Sequence, residues 1–189
     1  MIRIAVLGNI GSGKSYAAKQ FGYPVFSADA EVAKLYRKNR KCYSRLKKIL
    51  PNYITSFPVK KIELSKAIMT NRQNLKKIVK IVHPEVRNRM NKFIKKNRSK
   101  KFIILDIPLL IENKLNKKND ILIFVDAKKK EINKRLKKRH GKSIEILKKF
   151  QLPIELKKKK ADFIIKNNFK SNSIKKNVKI LNEKILFNA

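Results

Sequence analysis

Residues 8 to 15 constrain the fold of this chain more than any other segment. They read Gly-Asn-Ile-Gly-Ser-Gly-Lys-Ser and fit the phosphate-binding pattern G-x-x-x-x-G-K-[ST] without a mismatch. We call this segment, Gly8–Ser15, the phosphate loop. In the pattern, glycines let backbone N–H groups converge on phosphate oxygens, the lysine reaches the β- and γ-phosphates, and the serine hydroxyl can hold Mg²⁺. The segment therefore predicts a site for a polyphosphate.

The sequence on both sides of the phosphate loop supports this interpretation. Ile2–Leu7 is apolar and β-prone, and Tyr16–Phe21 suits a helix. The motif requires a strand before the loop and a helix after it. The alternative is a glycine-rich turn that carries a lysine by chance, and the flanks argue against it.

Apolar segments alternate with helical segments along the chain, which predicts an α/β fold with a parallel sheet flanked by helices. The predicted strands are Ile2–Leu7, Pro24–Phe26, Phe102–Leu105, Ile121–Val125 and Phe163–Ile165. Helices are predicted within residues 30–97, over Lys128–Arg139 and Ser143–Phe150, and at the end of the chain, with Ile174, Val178, Ile180, Leu181 and Ile185 on the apolar side. Ligands bind outside the carboxyl ends of parallel strands. The residues expected there are Gly8–Ser15, Ser27–Asp29, Asp106–Glu112, Asp126 and Asn167.

Composition limits the number of domains and the compartment. The chain has 189 residues, of which 42% are apolar, enough for one substantial core. Cys42 is the single cysteine, so no intrachain disulfide can form, which favours a reducing compartment. No apolar stretch approaches the ~20 residues of a membrane-spanning helix. These features predict a soluble, cytoplasmic protein.

The charge is strongly positive, with 50 Lys and Arg against 13 Asp and Glu, a formal net charge of +37. Such a field attracts nucleic acid or anionic membranes. The alternative is compositional drift, because Lys, Ile and Asn have AT-rich codons. The lysines are spread along the whole chain, aromatic residues make up only 8%, and Trp is absent, which favours drift. Clustering of the charge on one folded face would separate the two interpretations.

Two carboxylates follow predicted strands and are candidates for the chemistry. Asp29 could orient or deprotonate a hydroxyl that attacks the γ-phosphate, or it could cap a helix over Ala30–Tyr36. Asp106 follows a dense apolar strand, which is the usual position for a carboxylate that holds Mg²⁺. The alternative is a simple turn residue, and the nearby Pro108 argues against it.

Three basic or titratable side chains carry weaker signals. Arg135 and Arg139 are four residues apart on a predicted helix, so they share one face and could stabilise charge on a transferring phosphoryl group. In so basic a chain, however, a solvated cationic face is the default interpretation of such a pair. His83 precedes Pro84 within a helical pattern, where a histidine more often packs or caps than catalyses.

Taken together, these motifs resemble the dephospho-coenzyme A (CoA) kinase family over nearly the whole chain. The phosphate loop begins the series, and Ile107–Glu112 is similar to the family's P-L-L-x-E segment, its most distinctive element. The remaining matches are Ser27-Ala28-Asp29 for D-A-D, Val82-His83-Pro84 for the H-P step, Arg135 and Arg139 for the paired lid arginines, and Gln151, Ala161-Asp162 and Asn167 for the closing Q…A-D…N series.

The resemblance implies a P-loop NTPase fold and an ATP-dependent transfer of a phosphoryl group to the ribose 3′-hydroxyl of dephospho-CoA. It implies ATP and Mg²⁺ at the site, ATP and dephospho-CoA as small-molecule partners, no specific nucleic acid and no membrane, and a monomer or weak oligomer. The implied parts are a core (1–29, 98–127 and 160–189), a helical CoA-binding subdomain (30–97) and a lid (128–159).

Residue roles follow from the same resemblance, motif by motif. Asp29 is the implied base, Lys14 and Arg139 stabilise the transferring group, and Arg135 supports them. The implied ATP-binding residues are Gly8, Ile10, Gly11, Ser12, Gly13, Lys14, Ser15 and Asn167, the last near the adenine. The implied acceptor-binding residues are His83, Pro108, Leu109, Leu110 and Glu112. The implied metal ligands are Ser15 and Asp106.

The chain departs from the family pattern at three positions. Ser27 replaces the first acid of D-A-D, which leaves the contribution of that carboxylate to Mg²⁺-bound water in question. Asn9 replaces a glycine within the loop, and Ile132 stands where the family often has glutamine.

Overall fold

The computed structural model describes residues 1–137, 151–170 and 172–187. Contacts divide the chain into a sheet unit, Met1–Ser27 with Asn97–Ala189, and a helical unit, Ala28–Lys96. The predicted helix Ser143–Phe150, the end of the predicted helix Lys128–Arg139, and much of the predicted lid lie outside the described residues. The three-part organisation therefore stays a prediction.

The sheet unit contains a parallel sheet in the described part of the chain. Its strands are β1 (Ile2–Gly8), β2 (Val25–Ser27), β3 (Phe102–Asp106), β4 (Ile121–Ala127) and β5 (Phe163–Asn167), in the order β2-β3-β1-β4-β5. The central strands β1 and β3 are buried almost throughout, as parallel strands covered on both faces are. In β5, at the edge, exposed Ile164 and Lys166 alternate with buried residues.

Helices cover the sheet and form the helical unit. They are α1 (Lys14–Gln20), α2 (Ala28–Lys38), α3 (Arg40–Ile49), α4 (Lys61–Thr70), α5 (Gln73–Lys96), α6 (Lys129–Lys137), α7 (Ile154–Lys159) and α8 (Ser173–Phe187). Among the described helices, none combines the length and apolarity that a bilayer crossing requires.

Helices α1 and α8 pack on one face of the sheet and close its core. Ala17 and Ala18 of α1 and Val178 of α8 are buried against Ile4 and other strand residues. The prediction that Ile180 lies on the apolar side of the last helix is wrong, because this residue is 44% exposed. At 100° per residue, positions 174, 178, 181 and 185 form one narrow stripe, and position 180 falls well outside it.

The helical unit has a core of its own, formed by α2 to α5. Leu35, Leu46, Ile54 and Ala67 are fully buried in it. Glu63, in the first turn of α4, organises the turn that precedes this helix. Its carboxylate accepts hydrogen bonds from the Thr55 and Ser56 backbone N–H groups and hydroxyls and from the Lys60 N–H.

The Glu63 carboxylate should make this unit sensitive to acid. Burial alone would raise the pKa of Glu63, but its hydrogen bonds outweigh that effect and lower the pKa from 4.5 to about 2. A group with a lowered folded-state pKa stabilises the fold above its unfolded-state pKa, and that contribution is lost as the pH falls from 4.5 toward about 2. We expect Glu63→Gln to lower the melting temperature at neutral pH and to lose that difference in this acid range, as circular dichroism melts would measure. An equal deficit at all pH values would contradict this account.

Candidate active site

The strand order places two loops at the point where a ligand crevice is expected. From β1 the chain crosses β3 to reach β2, and from β3 it crosses β1 to reach β4, so the connections after these adjacent strands run in opposite directions across the sheet. A crevice forms outside the carboxyl ends of such strands. The phosphate loop follows β1 and Asp106 ends β3, so both lie at this crevice.

The phosphate loop is formed, and its backbone requires glycine. Gly8 has φ 142° and Gly13 has φ 96°. A Cβ on Gly8 would lie 2.7 Å from the Val125 carbonyl oxygen, and one on Gly13 would lie 2.5 Å from Asn167 Nδ2. A side chain at either position would be strained and would collide with its surroundings.

Polar groups inside the loop suit an anion. Lys14 is buried, and its Nζ donates to the Asn9 carbonyl at 2.7 Å, the same carbonyl that accepts the Ser12 N–H at 3.1 Å. Ser12 Oγ is buried and has no hydrogen-bond partner among the described residues. An unsatisfied buried hydroxyl is costly, and a phosphate oxygen would satisfy it.

Asn167, the last residue of β5, makes a hydrogen bond to the phosphate loop. Its Nδ2 donates to the Ser12 carbonyl at 2.8 Å, and its Oδ1 accepts the Phe169 N–H at 2.8 Å. The sequence placed this residue at the correct edge of the sheet. The Ser12 partner was not predicted, because this hydrogen bond joins positions 155 residues apart.

Two oxygen donors at this edge of the sheet fit a hard divalent cation. Asp106 is 3% exposed and ends β3, beside β1, while Ser15 lies exposed in the first turn of α1. Carboxylate and hydroxyl oxygens match the ligand preference of Mg²⁺, which also keeps waters and binds substrate phosphates. No group of three His, Cys, Asp or Glu side chains that could hold a metal occurs in the described residues.

The P-L-L-x-E segment is held by contacts to a distant helix. Glu112 Oε1 lies 2.6 Å from Lys157 Nζ in α7 and accepts the Leu152 N–H at 3.0 Å. Lys157 is 2% exposed, so this ion pair is nearly dry. Leu110 is buried, whereas Pro108 and Leu109 are half-buried. The assignment of this segment to the acceptor stays a prediction, and its observed partners belong to the sheet unit.

Asp126, also expected at the sheet edge, is engaged by a neighbouring helix. Its carboxylate lies 3.1 Å from the Lys158 ammonium of α7. The negative charge of Asp126 is therefore paired with the positive charge of Lys158.

Two predicted site residues belong to the helical unit. Helix α2 begins at Ala28, so Asp29 lies within the first turn and does not precede a helix that starts at Ala30. His83 lies half-buried in α5, which continues through Pro84. Burial, and then the Arg87 guanidinium, lower the pKa of His83, so the imidazole is neutral at pH 7.

One of the two predicted lid arginines, Arg135, lies within the described residues. Arg139 lies outside the described residues. Arg135 is exposed on α6, and its Cζ lies 4.6 Å from the centre of the Phe169 ring. Sequence reasoning missed Phe169, although it follows β5 by two residues and the strand-end rule could have been extended to it.

A comparison with protein families decides the relationship of this chain. A model of the family described as dephospho-CoA kinase matches residues 2–173. The chain belongs to the dephospho-CoA kinase family. The resemblance inferred from the motifs is thereby confirmed.

Individual relatives of the dephospho-CoA kinase family agree with this placement. The chain is 37% identical over 120 residues to a dephospho-CoA kinase of Bartonella quintana, and the match spans 61% of each protein. It is similar to the solved dephospho-CoA kinase of Campylobacter jejuni, with 25% identity, a TM-score of 0.68, and 99% and 98% of the two chains covered. A solved Thermus thermophilus protein has 28% identity, a TM-score of 0.77, and 99% and 97% coverage. The predicted P-loop NTPase fold is confirmed.

Proposed function

We propose that this protein transfers the γ-phosphoryl group of ATP to the 3′-hydroxyl of dephospho-CoA, giving CoA and ADP, the final step of CoA biosynthesis. The family match over residues 2–173 carries the proposal. The formed phosphate loop supports it, because its glycine backbone, Lys14 and the Ser12 hydroxyl, which has no hydrogen-bond partner among the residues that the structure describes, suit a polyphosphate.

The proposed chemistry depends on positioning and electrostatics. The phosphate loop binds the triphosphate, and Lys14 exchanges the Asn9 carbonyl for phosphate oxygens. Asp29 orients the acceptor hydroxyl and accepts its proton as the oxygen attacks phosphorus in line. The bond from phosphorus to the bridging oxygen breaks, and ADP leaves. Arg139 stabilises charge on the transferring group.

Ser15 and Asp106 are the proposed holders of Mg²⁺. The buried Asp106 carboxylate and the exposed Ser15 hydroxyl form the donor set, and substrate phosphates and waters complete it. When bound, Mg²⁺ neutralises negative charge on the β- and γ-phosphates.

On the acceptor side, we assign His83, Pro108 and Leu109 to contacts with dephospho-CoA. A neutral His83 can donate or accept a hydrogen bond, and the half-buried Pro108 and Leu109 offer apolar surface. Glu112 and Leu110 would act by shaping this segment, because the first is paired with Lys157 and the second is buried. We also infer a cytoplasmic location from the unpaired, buried Cys42, and a monomer or weak oligomer.

An acceptor-dependent assay tests the proposal. The purified 189-residue chain is incubated with ATP, MgCl₂ and dephospho-CoA, and ADP release and the CoA product are followed by chromatography and mass spectrometry. Parallel reactions contain adenylate, another hydroxyl acceptor, or no acceptor. We expect ADP and CoA to form together only with dephospho-CoA. ADP release independent of acceptor, or faster release with adenylate, would overturn the proposal.

A further inference from the structure

Two donors from α7 and the residues before it meet at one oxygen of Glu112, the last residue of the P-L-L-x-E segment. The Lys157 ammonium lies 2.6 Å from Glu112 Oε1, and the Leu152 N–H donates to the same oxygen at 3.0 Å. The side chains of Lys157 and Glu112 are only 2% and 11% exposed, so little water competes with these contacts. Since an unpaired charge in such a place is costly, the ion pair holds the two side chains together.

Helix α7 gives Glu112 a fixed partner, because other contacts attach this helix to the sheet. The ammonium of Lys158 lies 3.1 Å from Asp126 Oδ2, near the end of β4. Asp162, three residues after the helix, exchanges two hydrogen bonds of 2.8 Å with the backbone of Leu122 in the same strand. Lys157 therefore transmits the position of a helix that is held independently of it.

Glu112 is connected in turn to the apolar part of its own segment. Asn113, the next residue, donates its backbone N–H and its Nδ2 to the Leu109 carbonyl, at 3.1 and 2.8 Å. These bonds close a turn between Leu109 and Asn113. A displacement of Glu112 thus moves Leu109 and the adjoining Pro108 with it.

We propose that Lys157 is a positioning residue for the acceptor, on which it acts through Glu112 without touching the substrate. The inference rests on the proposed function, because that function assigns Pro108 and Leu109 to contacts with dephospho-CoA. Loss of the ion pair displaces the apolar surface that these two residues offer. None of the contacts above involves the phosphate loop, so ATP binding is independent of the pair.

A double variant separates the position of the segment from the stability of the fold. Lys157→Met alone leaves the Glu112 charge buried and unpaired, so it should lower the melting temperature. Glu112→Gln/Lys157→Met has no buried charge and keeps an acceptor for the Leu152 N–H, so it should melt close to the parent protein. We expect this double variant to have a KM for dephospho-CoA raised roughly 10- to 150-fold, the equivalent of exposing one buried aliphatic side chain. Its kcat and ATP affinity should be unchanged, as for a loss of uniform binding.

Steady-state kinetics and calorimetric titration of ATP, on the 189-residue chain with MgCl₂, measure these quantities. Lys159→Met is the matched control, because it makes the same change at an exposed position of α7 and should alter neither KM nor melting temperature. A parent-like KM in the double variant would show that the pair serves folding alone and would overturn the proposal. An equal loss of ATP affinity would overturn it as well.

Hydrogen exchange tests the same inference without any substrate. The Asn113 amide should exchange faster in Glu112→Gln/Lys157→Met than in Lys159→Met, because its turn is no longer anchored. Equal exchange rates would contradict a positioning role for Lys157. If the parent protein does not act on dephospho-CoA, the proposed function fails, whereas the Asn113 exchange rate still decides whether Lys157 positions the segment.

Discussion

Asp29→Asn is expected to lower kcat by roughly 10²–10⁴-fold, the usual contribution of a general base, while ATP affinity is retained. Asparagine keeps the shape of the side chain and loses the carboxylate that would accept the proton of the acceptor hydroxyl. Asp29 lies in the first turn of α2, directly after β2 and outside the phosphate loop, so the substitution changes no residue of that loop. Steady-state kinetics and calorimetric titration of ATP would measure the two effects separately.

The matched control is Glu31→Gln, in the first turn of the same helix. Glu31 lies 2.6 Å from Lys34 and 2.9 Å from Arg89, both in the helical unit, so its loss should affect stability and not turnover. If Asp29→Asn instead lowers the melting temperature and leaves kcat near normal, Asp29 serves the start of α2, where acidic residues are favourable, and is not the base.

Gly8→Ala should abolish tight nucleotide binding. The alanine would have to adopt φ 142°, and its Cβ would lie 2.7 Å from both the Val125 carbonyl oxygen and Ser12 Oγ. The first of these is backbone at the end of β4 and cannot move aside cheaply. Strain of about 1–3 kcal/mol in the formed loop corresponds to roughly 5- to 150-fold in ATP affinity, and the collision adds to it. Calorimetry with ATP measures the loss.

Gly22→Ala separates strain from collision. Gly22 also has positive φ, 75°, but a Cβ there meets nothing within 4 Å. We expect this control to lower stability modestly and to bind ATP like the parent protein. Similar ATP affinities for Gly8→Ala and the parent protein would show that the loop adopts another backbone when it binds its ligand.

Much of the sheet unit was predictable because its signals are local. The apolar strands, the glycine pattern of the loop and the strand-end positions of Asp106 and Asn167 are all short-range features. Strand ends were placed one or two residues short where polar residues such as Asp106 continue a strand. Helix α7 was missed because the lysine run 157–160 lacks an apolar stripe.

The connections within the site could not be predicted, since they depend on side chains distant in sequence. Lys157 stands in a run of four lysines, 157–160, whose sequence gives no sign of burial, yet it is buried because Glu112, 45 positions earlier, neutralises it. The left-handed Phe169 likewise gives no sequence signal, because aromatic residues rarely adopt that conformation. The acceptor-side assignments came from the family motifs alone.

Through the Asn167 amide, local unfolding of the edge strand β5 affects the conformation of the phosphate loop. In the described part of the chain, strand β5 has a hydrogen-bonded neighbour on one side only, so we expect it to fray more readily than β1 or β3. Each fraying event at its end withdraws the donor that holds the Ser12 carbonyl. A ligand that binds only the intact loop must, by mass action, slow hydrogen exchange along β5.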